Sequence, residues 1–512
     1  MSEDRPFDHP VITNEDIYRA TSLLGLPTNA FDGDDGTDPR QEVLKSMAPM
    51  DIAACPGSGK TTLLVAKLAI LAAKWQYRTR GICVLSHTNA ARHEIETRLG
   101  YTSVGRRLLA YPHYVGTIHG FVNEYLALPW LRSQGYPVKM IDTDICLEKR
   151  WYALSSAIRA GLEKNYRDPR AVLTVQSPDF GLGEVRWGRG KLGTCTPTYK
   201  EMQAVCKVSI SEGCLCYDEM FMWAMDLMEN APGVVQTIRD RFPLLFIDEA
   251  QDNSEDQSAI LHLIFLGGGG AVVRQRFGDG NQAIFDFVGA NEATTDRFPS
   301  NSIKRDLPNS HRFGQNIANL ADPLGITPYG LIGQGPKQKP LTPNEPEGRH
   351  TIFLFDDNSA CRVLDAYADL LVETFSDQEL REGTFAAVGQ VHRDKGDDHK
   401  PRHVGHYWPY YDPELSSREP KPQTFVQYVF VGLGKSHATG ETYLAVEKIA
   451  EGILRLAGMV EGGAIRPHRR HSHRHVLRLL EECVGVRERY EDLIAKFAVE
   501  RDVPTKETWN RH

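Results

Sequence analysis

No stretch of this chain approaches the roughly 20 consecutive apolar residues that a membrane-spanning helix needs. The longest candidate, Leu63 to Ala73, is interrupted by Lys67 and reads instead as a buried helix. Met1 to Asp16 lacks the apolar run after a basic start that marks a secretory signal. Cysteine is sparse, nine in 512 residues. That excludes a disulfide-stapled scaffold and, without secretory features, fits a reducing cytoplasm. An excess of positive charge is also missing, since the net charge is -8. This disfavours a protein that merely coats nucleic acid, but not a local basic channel. No internal repeat is visible. The remaining composition, 41% hydrophobic and 25% charged, is ordinary for a globular protein. The length points to about two to four domains.

Residues 1–40 are acidic and rich in Gly and Asp around Asp32 to Gly36, and read as a loop or frayed N-terminal arm. From Gln41 the pattern alternates: a helix to Met47, a short apolar strand (Asp51 to Ala54), a Gly-rich turn, a long helix from Lys60, a strand (Gly81 to Ser86) and a helix (Asn89 to Leu99). Such alternation predicts an α/β fold with a parallel sheet. Residues 121–212 are irregular and aromatic-rich, and read as an inserted, mainly helical subdomain. The α/β pattern returns at Phe242 to Ile247 and Gly270 to Gly278, so residues 41–120 and 213–325 form one lobe. A Pro/Gly-rich linker, Pro323 to Pro346, leads to a second unit. Residues 348–400 open it with strand-like runs at His350 to Phe355 and Thr384 to Val391 around a helix. Residues 401–512 look helical after a polar, Pro-rich loop.

Ala54-Cys55-Pro56-Gly57-Ser58-Gly59-Lys60-Thr61-Thr62 follows a strand and opens a helix, the context of a Walker A phosphate loop. Gly57 and Gly59 let backbone N–H groups approach a triphosphate, and the helix N-terminus adds partial positive charge. Lys60 suits the β- and γ-phosphates, and the Thr61 hydroxyl suits a magnesium shell. The bland alternative, a Gly-rich turn with a chance Lys-Thr, lacks a reason for that context. A phosphate loop needs an acidic partner on a neighbouring strand, and Phe246-Ile247-Asp248-Glu249 supplies an apolar strand ending in two carboxylates. Asp248 suits the metal, mainly through water. Glu249 suits activation of the attacking water and joins the candidate metal set. ATP and Mg2+ are therefore the expected ligands, and the fold expected is a P-loop NTPase.

Asp248-Glu249-Ala250-Gln251-Asp252 closely resembles motif II of superfamily 1A helicases, the UvrD/Rep-like group. The other motifs follow in that family's order. Gln41 matches the family's adenine-reading glutamine. Ser86-His87-Thr88-Asn89-Ala90-Ala91 resembles motif Ia, and Gly116-Thr117-Ile118-His119-Gly120-Phe121 the next motif, so His87, Thr88, Asn89, Thr117 and His119 are implied DNA contacts. Tyr217 to Met220 resembles the segment before motif II. Gly278 to Phe285 resembles motif III, which implies that Gln282 senses the γ-phosphate while Phe285 and Phe287 face nucleic acid. His311-Arg312 resembles motif IV, with His311 at the adenine and Arg312 on the γ-phosphate as a permanently charged fork. The resemblance implies a RecA-like parallel sheet with helical insertions and an incomplete second RecA-like lobe. It also implies ATP-driven 3′ to 5′ movement along single-stranded or partly duplex DNA.

Departures accompany the match. Motif Ia has His87 for Phe and Ala90 for Lys. Val288 stands where motif III has Arg, and Ser310-His311 where motif IV has Asn-Tyr. These weaken the expected grip on DNA and adenine rather than the phosphate chemistry. Motifs V and VI are not found. In the family motif VI supplies a second γ-phosphate arginine, worth about 10³-fold or more in hydrolysis. The expectation is a truncated or degenerate chain that binds ATP but turns over slowly unless a partner supplies that arginine. The rival to a motor is accordingly a DNA- or nucleotide-sensing subunit beside a nuclease, since compact relatives accompany OLD-type nucleases in anti-phage systems such as Gabija. A plain ATPase is the third reading.

Weaker signals resolve to structural readings. The basic run Pro467 to His475 reads as a solvated helix start before a DNA contact or a zinc site. Cys195, Cys206, Cys214 and Cys216 contain no Cys-x-x-Cys pair and read as ordinary thiols. Trp130, Trp151, Trp187 and Trp223 read as core.

Overall fold

The structure, a computed structural model, describes residues 7–32, 38–87, 90–100, 102–188, 190–266, 272–283, 296–336, 350–389, 391, 402–411, 422, 424–439, 442–460, 472–481 and 483–500. The chain divides into two compact units, Met1–Arg349 and His350–His512.

The first unit is organised by six parallel strands: β1 (Met50–Ala54), β2 (Ile82–Ser86), β3 (Tyr114–Thr117), β4 (Leu244–Asp248), β5 (Val273–Gly278) and β6 (Lys304–Leu307), in the order β6-β1-β5-β4-β2-β3. The central strands β1, β2, β4 and β5 are buried along their whole length, as parallel strands covered on both faces must be. Successive side chains point to opposite faces. Ile82 and Val84 therefore join a core with Ile52, Phe246, Phe277 and the helix Lys60–Lys74, while Cys83 and Leu85 join another with Leu245, Ile247, Phe121 and Phe265. This second core continues without a break into residues 121–212, where Leu126, Cys146, Trp151 and Met202 are buried. The inserted segment thus shares one apolar core with a face of the sheet. Trp151 and Trp223 are buried in it, with Trp130 and Trp187 packed at its edge. Cys206 and Cys216 are buried, Cys214 is half-buried and Cys195 exposed.

The N-terminal arm differs from the expectation of a loop. Asn14–Leu23 is a helix closed by a Thr13–Asp16 capping box, and Ile17, Ala20 and Phe31 are buried against the helix behind the phosphate loop. The reason is local: a capping box satisfies two orphan N–H groups, and an apolar face too short to stand out in an acidic segment finds a core. Lys67, the residue that breaks the apolar run, is itself buried, with Nζ donating to the carbonyls of Val43 and Ser46 at 2.5 Å each. Burial lowers its pKa to about 7.

In the second unit the helices Phe425–Thr439, Thr442–Val460, Ser472–Leu479 and Val484–Ile494 occur. They enclose a core containing Val429, Ala445, Ile449, Leu454 and Phe497. The helix Val363–Thr374 is present where expected, but it buries none of its residues. The two flanking strand-like runs are not strands among the described residues. Ile352, Leu354 and Val388 are 82%, 93% and 97% exposed. The expectation of strands at these two runs is thereby corrected: a β-pattern becomes a strand only when neighbouring backbones complete its hydrogen bonds. The basic run 467–475 lies largely outside the described residues.

Candidate active site

The C-terminal ends of the parallel strands carry the site, as the crevice rule for open α/β sheets anticipates. β1 runs into the phosphate loop. There Gly57 and Gly59 take φ of +82° and +78°, the left-handed region that glycine enters without steric cost. At Gly57 a side chain is excluded twice over, since an added Cβ would sit 2.5 Å from Arg312 Cβ and 2.7 Å from Ser310 Oγ. Sheet pairing of β6 against β1 causes this approach: Cys55 N donates to Leu307 O, His311 N to Gly57 O and Ser310 Oγ to Pro56 O, at 3.1, 2.9 and 2.8 Å. The Ser310 that departs from the family pattern thus clamps the phosphate loop.

A cavity of about 600 Å³ results, lined by Ala54 to Thr62, Asp248, Glu249, Gln282, His311 and Arg312, and also by Glu94 and Arg98. Residues spread over more than 250 positions of sequence therefore face one space. Lys60 Nζ is ion-paired with Glu249 Oε2. Glu249 also accepts from Gln251 Nε2 at 2.8 Å. Burial raises the Glu249 pKa, but the hydrogen bonds from Gln251 and Lys60 and the lysine charge outweigh it, so the carboxyl stays below its usual range. Asp248 is only 3% exposed. Its carboxylate accepts from Glu249 N at 3.1 Å, and burial, opposed by Lys60 and reinforced by Glu249, raises its pKa to about 6. Glu249 adopts φ +50°, ψ +46°. A non-glycine residue there costs on the order of 1–3 kcal/mol and concentrates at functional sites. The turn aims the second carboxylate at Lys60 while the first stays on the strand.

These groups suit a magnesium–triphosphate complex. Asp248 offers a buried anionic oxygen and Thr61 a hydroxyl in the same cavity. Among the described residues the buried Ser58 hydroxyl has no hydrogen-bond partner, an arrangement that is costly unless a polar ligand completes it.

Other sequence-derived candidates fall on either side of the cavity. Thr62 lines it and accepts from Arg98 Nη1 at 2.9 Å. His311 lines it half-buried, with its pKa lowered by burial and by Arg40. Gln41 is not brought into the lining: its amide donates to Asp32 Oδ1 at 2.8 Å and its oxygen accepts from Lys45 at 3.1 Å. Arg40, one residue earlier, instead lies near Gly59, with its guanidinium 5.3 Å from the Phe31 ring centroid. Arg40, Glu94 and Arg98 were not singled out by sequence; a one-turn spacing of Glu94 and Arg98 on the helix after motif Ia was the available signal.

His87 follows β2, and Thr117 ends β3 and caps the next helix by accepting from Gly120 N at 3.0 Å. His119 lies on that helix, its ring 4.7 Å from Phe221 and 6.2 Å from Tyr217, with burial lowering its pKa. Thr88, Asn89, Phe285 and Phe287 lie outside the described residues.

Residues 36–168 and 186–302 match the model of the UvrD/REP helicase N-terminal domain. The chain belongs to the UvrD/Rep-like helicase family. It is 27% identical over 309 residues to DNA helicase II of Salmonella typhimurium, covering 58% of this chain and 41% of that protein. Over 302 residues it is 26% identical to the ATP-dependent DNA helicase PcrA of Leuconostoc citreum, at 55% and 38% coverage. To the Gabija protein GajB of Bacillus cereus it is 25% identical over 300 residues, at 57% and 50% coverage. The chain thus spans half or less of the length of these relatives. Among the described residues no helix is long and apolar enough to cross a membrane.

Proposed function

We propose that this chain is an ATP-hydrolysing DNA translocase or helicase that binds single-stranded DNA and moves 3′ to 5′. The observation that carries the reading is the meeting of Lys60, Asp248, Glu249, Gln282 and Arg312 in one cavity. Lys60 and the loop N–H groups hold the β- and γ-phosphates. Thr61 and Asp248 hold the magnesium ion, which when bound draws charge from the phosphate oxygens. A Glu249 carboxylate oxygen, freed when phosphate takes over Lys60, orients water and accepts its proton. Gln282 and Arg312 bind the γ-phosphate, Arg312 as a fixed cation. His87, Thr117 and His119 stand at the same edge of the sheet and are the proposed DNA contacts, with Thr88, Asn89, Phe285 and Phe287.

The test is steady-state ATP hydrolysis by the intact chain with and without saturating single-stranded DNA, followed by displacement from partial duplexes with 3′ or 5′ overhangs. DNA-stimulated hydrolysis and displacement from the 3′ overhang are expected. A chain that binds no Mg·ATP would end the proposal.

A second reading is favoured by the GajB match, which covers a larger share of that protein than the helicase matches cover of theirs. In it the chain senses DNA or nucleotide beside a nuclease in anti-phage defence and unwinds little alone. Co-purification with a nuclease, combined with absent strand displacement by the isolated chain, selects it.

A further inference from the structure

Motif III is held from outside by a segment that neither the phosphate loop nor the carboxylate pair contains. After the helix Gln315–Ala321 the chain passes over residues 279–282. Asp322 accepts from Tyr329 N at 2.8 Å and Gly330 N at 3.1 Å, closing a loop. Within that loop the Asn281 side chain exchanges two hydrogen bonds with the Thr327 backbone, both 2.9 Å. Gly325 permits the approach, since an added Cβ would lie 3.0 Å from Asn281 Nδ2.

Tyr329 OH occupies the centre of this contact. It donates to Asp279 Oδ1 at 2.9 Å and accepts from Gly280 N at 3.2 Å. Asp279 is 1% exposed, and its other oxygen accepts from Gln282 Nε2 at 2.8 Å. Its backbone N donates to Gln251 Oε1 at 3.0 Å, and Gln251 donates in turn to Glu249, the partner of Lys60. A continuous hydrogen-bonded path therefore runs from Tyr329 through Asp279 to both Gln282 and Glu249. Gly278 lacks the Cβ that would collide with Gln251 Oε1, so the path is also sterically permitted. Burial, with the Asp279 charge, pushes the Tyr329 phenol well above its usual range, keeping it a donor.

We propose that Tyr329 is a positioning residue for the reaction: it fixes the Asp279 carboxylate, which sets where the Gln282 amide can reach at the phosphate end of the cavity. Tyr329 touches neither phosphate nor metal. It acts through Gln282, and the proposal rests on the ATP-hydrolysing reading above.

Tyr329→Phe removes only the hydroxyl. Binding of a fluorescent ATP analogue and the KM for ATP are expected to change less than about twofold, while DNA-stimulated kcat falls about tenfold, the usual effect of losing one hydrogen bond to a charged group. In a Gln282→Ala background the same substitution should have almost no further effect, because the two act as one unit. An unchanged kcat, or an equal loss with and without Gln282, would overturn the proposal, the latter marking a merely structural role. Amide exchange in the nucleotide-free intact chain provides a measurement that needs no turnover. The Gly280 amide should exchange roughly tenfold faster in Tyr329→Phe, and an unchanged rate also overturns the proposal. If the wild-type chain hydrolyses no ATP, it is the functional reading that fails, and the exchange rate still decides whether Tyr329 holds motif III.

Discussion

Two stretches of this chain carry the same pattern, an apolar run, a helix and a second apolar run: residues 50–86 and residues 350–391. The first is the centre of a sheet. The second contains the helix Val363–Thr374 but no ladder among its described residues, and Ile352, Leu354 and Val388 in its two runs face solvent. The difference does not lie in the runs themselves. Met50–Ala54 is bracketed by β5 and β6, whose residues come more than 200 positions later, whereas Ile352 to Phe355 pairs with no strand among the described residues. A strand is thus a property of three chain segments, and a helix largely of one. Chemistry follows the same divide, because only the assembled edge brings Lys60 to Glu249.

The comparison can be broken most directly by amide hydrogen exchange. Amides of Ile52 to Ala54 should be protected at least about 10³-fold more than those of Ile352 to Leu354, reflecting global against local opening. Comparable rates would mean that the second stretch is a strand after all. Catalytic dependence comes next. Lys60→Ala should lower ATP turnover by roughly 10²-fold or more through loss of charge stabilisation at the phosphates, measured at saturating single-stranded DNA; near-normal turnover would remove the phosphate loop from the mechanism. Packing gives a third contrast, read by denaturant unfolding. Ile52→Ala should cost about 2–5 kcal/mol, while Ile352→Ala should stay within about 0.5 kcal/mol.

A pH effect sharpens the account of the assembled edge. Asp248 has its pKa raised to about 6, and only its ionised form holds a cation. Protons therefore compete with the metal as pH falls through that value. Mg·ATP affinity should be flat above about pH 7 and drop by up to roughly tenfold per unit below pH 6. Asp248→Asn should weaken binding and abolish this slope. A slope persisting in the variant would assign the titration elsewhere.

The buried Lys67 has the opposite linkage. Its folded pKa of about 7 lies below its ordinary value, so between about pH 7 and 10.5 the unfolded chain binds the extra proton and stability rises with pH. Lys67→Met should flatten that rise in thermal unfolding.

Several features were legible without coordinates because their physical cause is local. Gly57 and Gly59 before Lys60, the helix Lys60–Lys74, and Asp248-Glu249 directly after an apolar run are patterns complete within a few residues. The ordered motifs carried the family for the same reason. Strands β3 and β6 were not legible: Tyr114–Thr117 is short, and Lys304–Leu307 has exposed charged positions. The surroundings of Gln41 were not legible either: its amide group bonds to Asp32 and Lys45, both outside the cavity lining.

By itself the sequence determined the phosphate loop, the carboxylate pair and the order of the motifs, because backbone geometry and residue chemistry at short range dictate them. Only the tertiary structure decided that Ser310 clamps the loop, that Arg98 and Glu94 join the cavity, and that Tyr329 reaches Asp279. Those contacts join segments far apart in sequence, and closure of the parallel sheet is what carries one to the other.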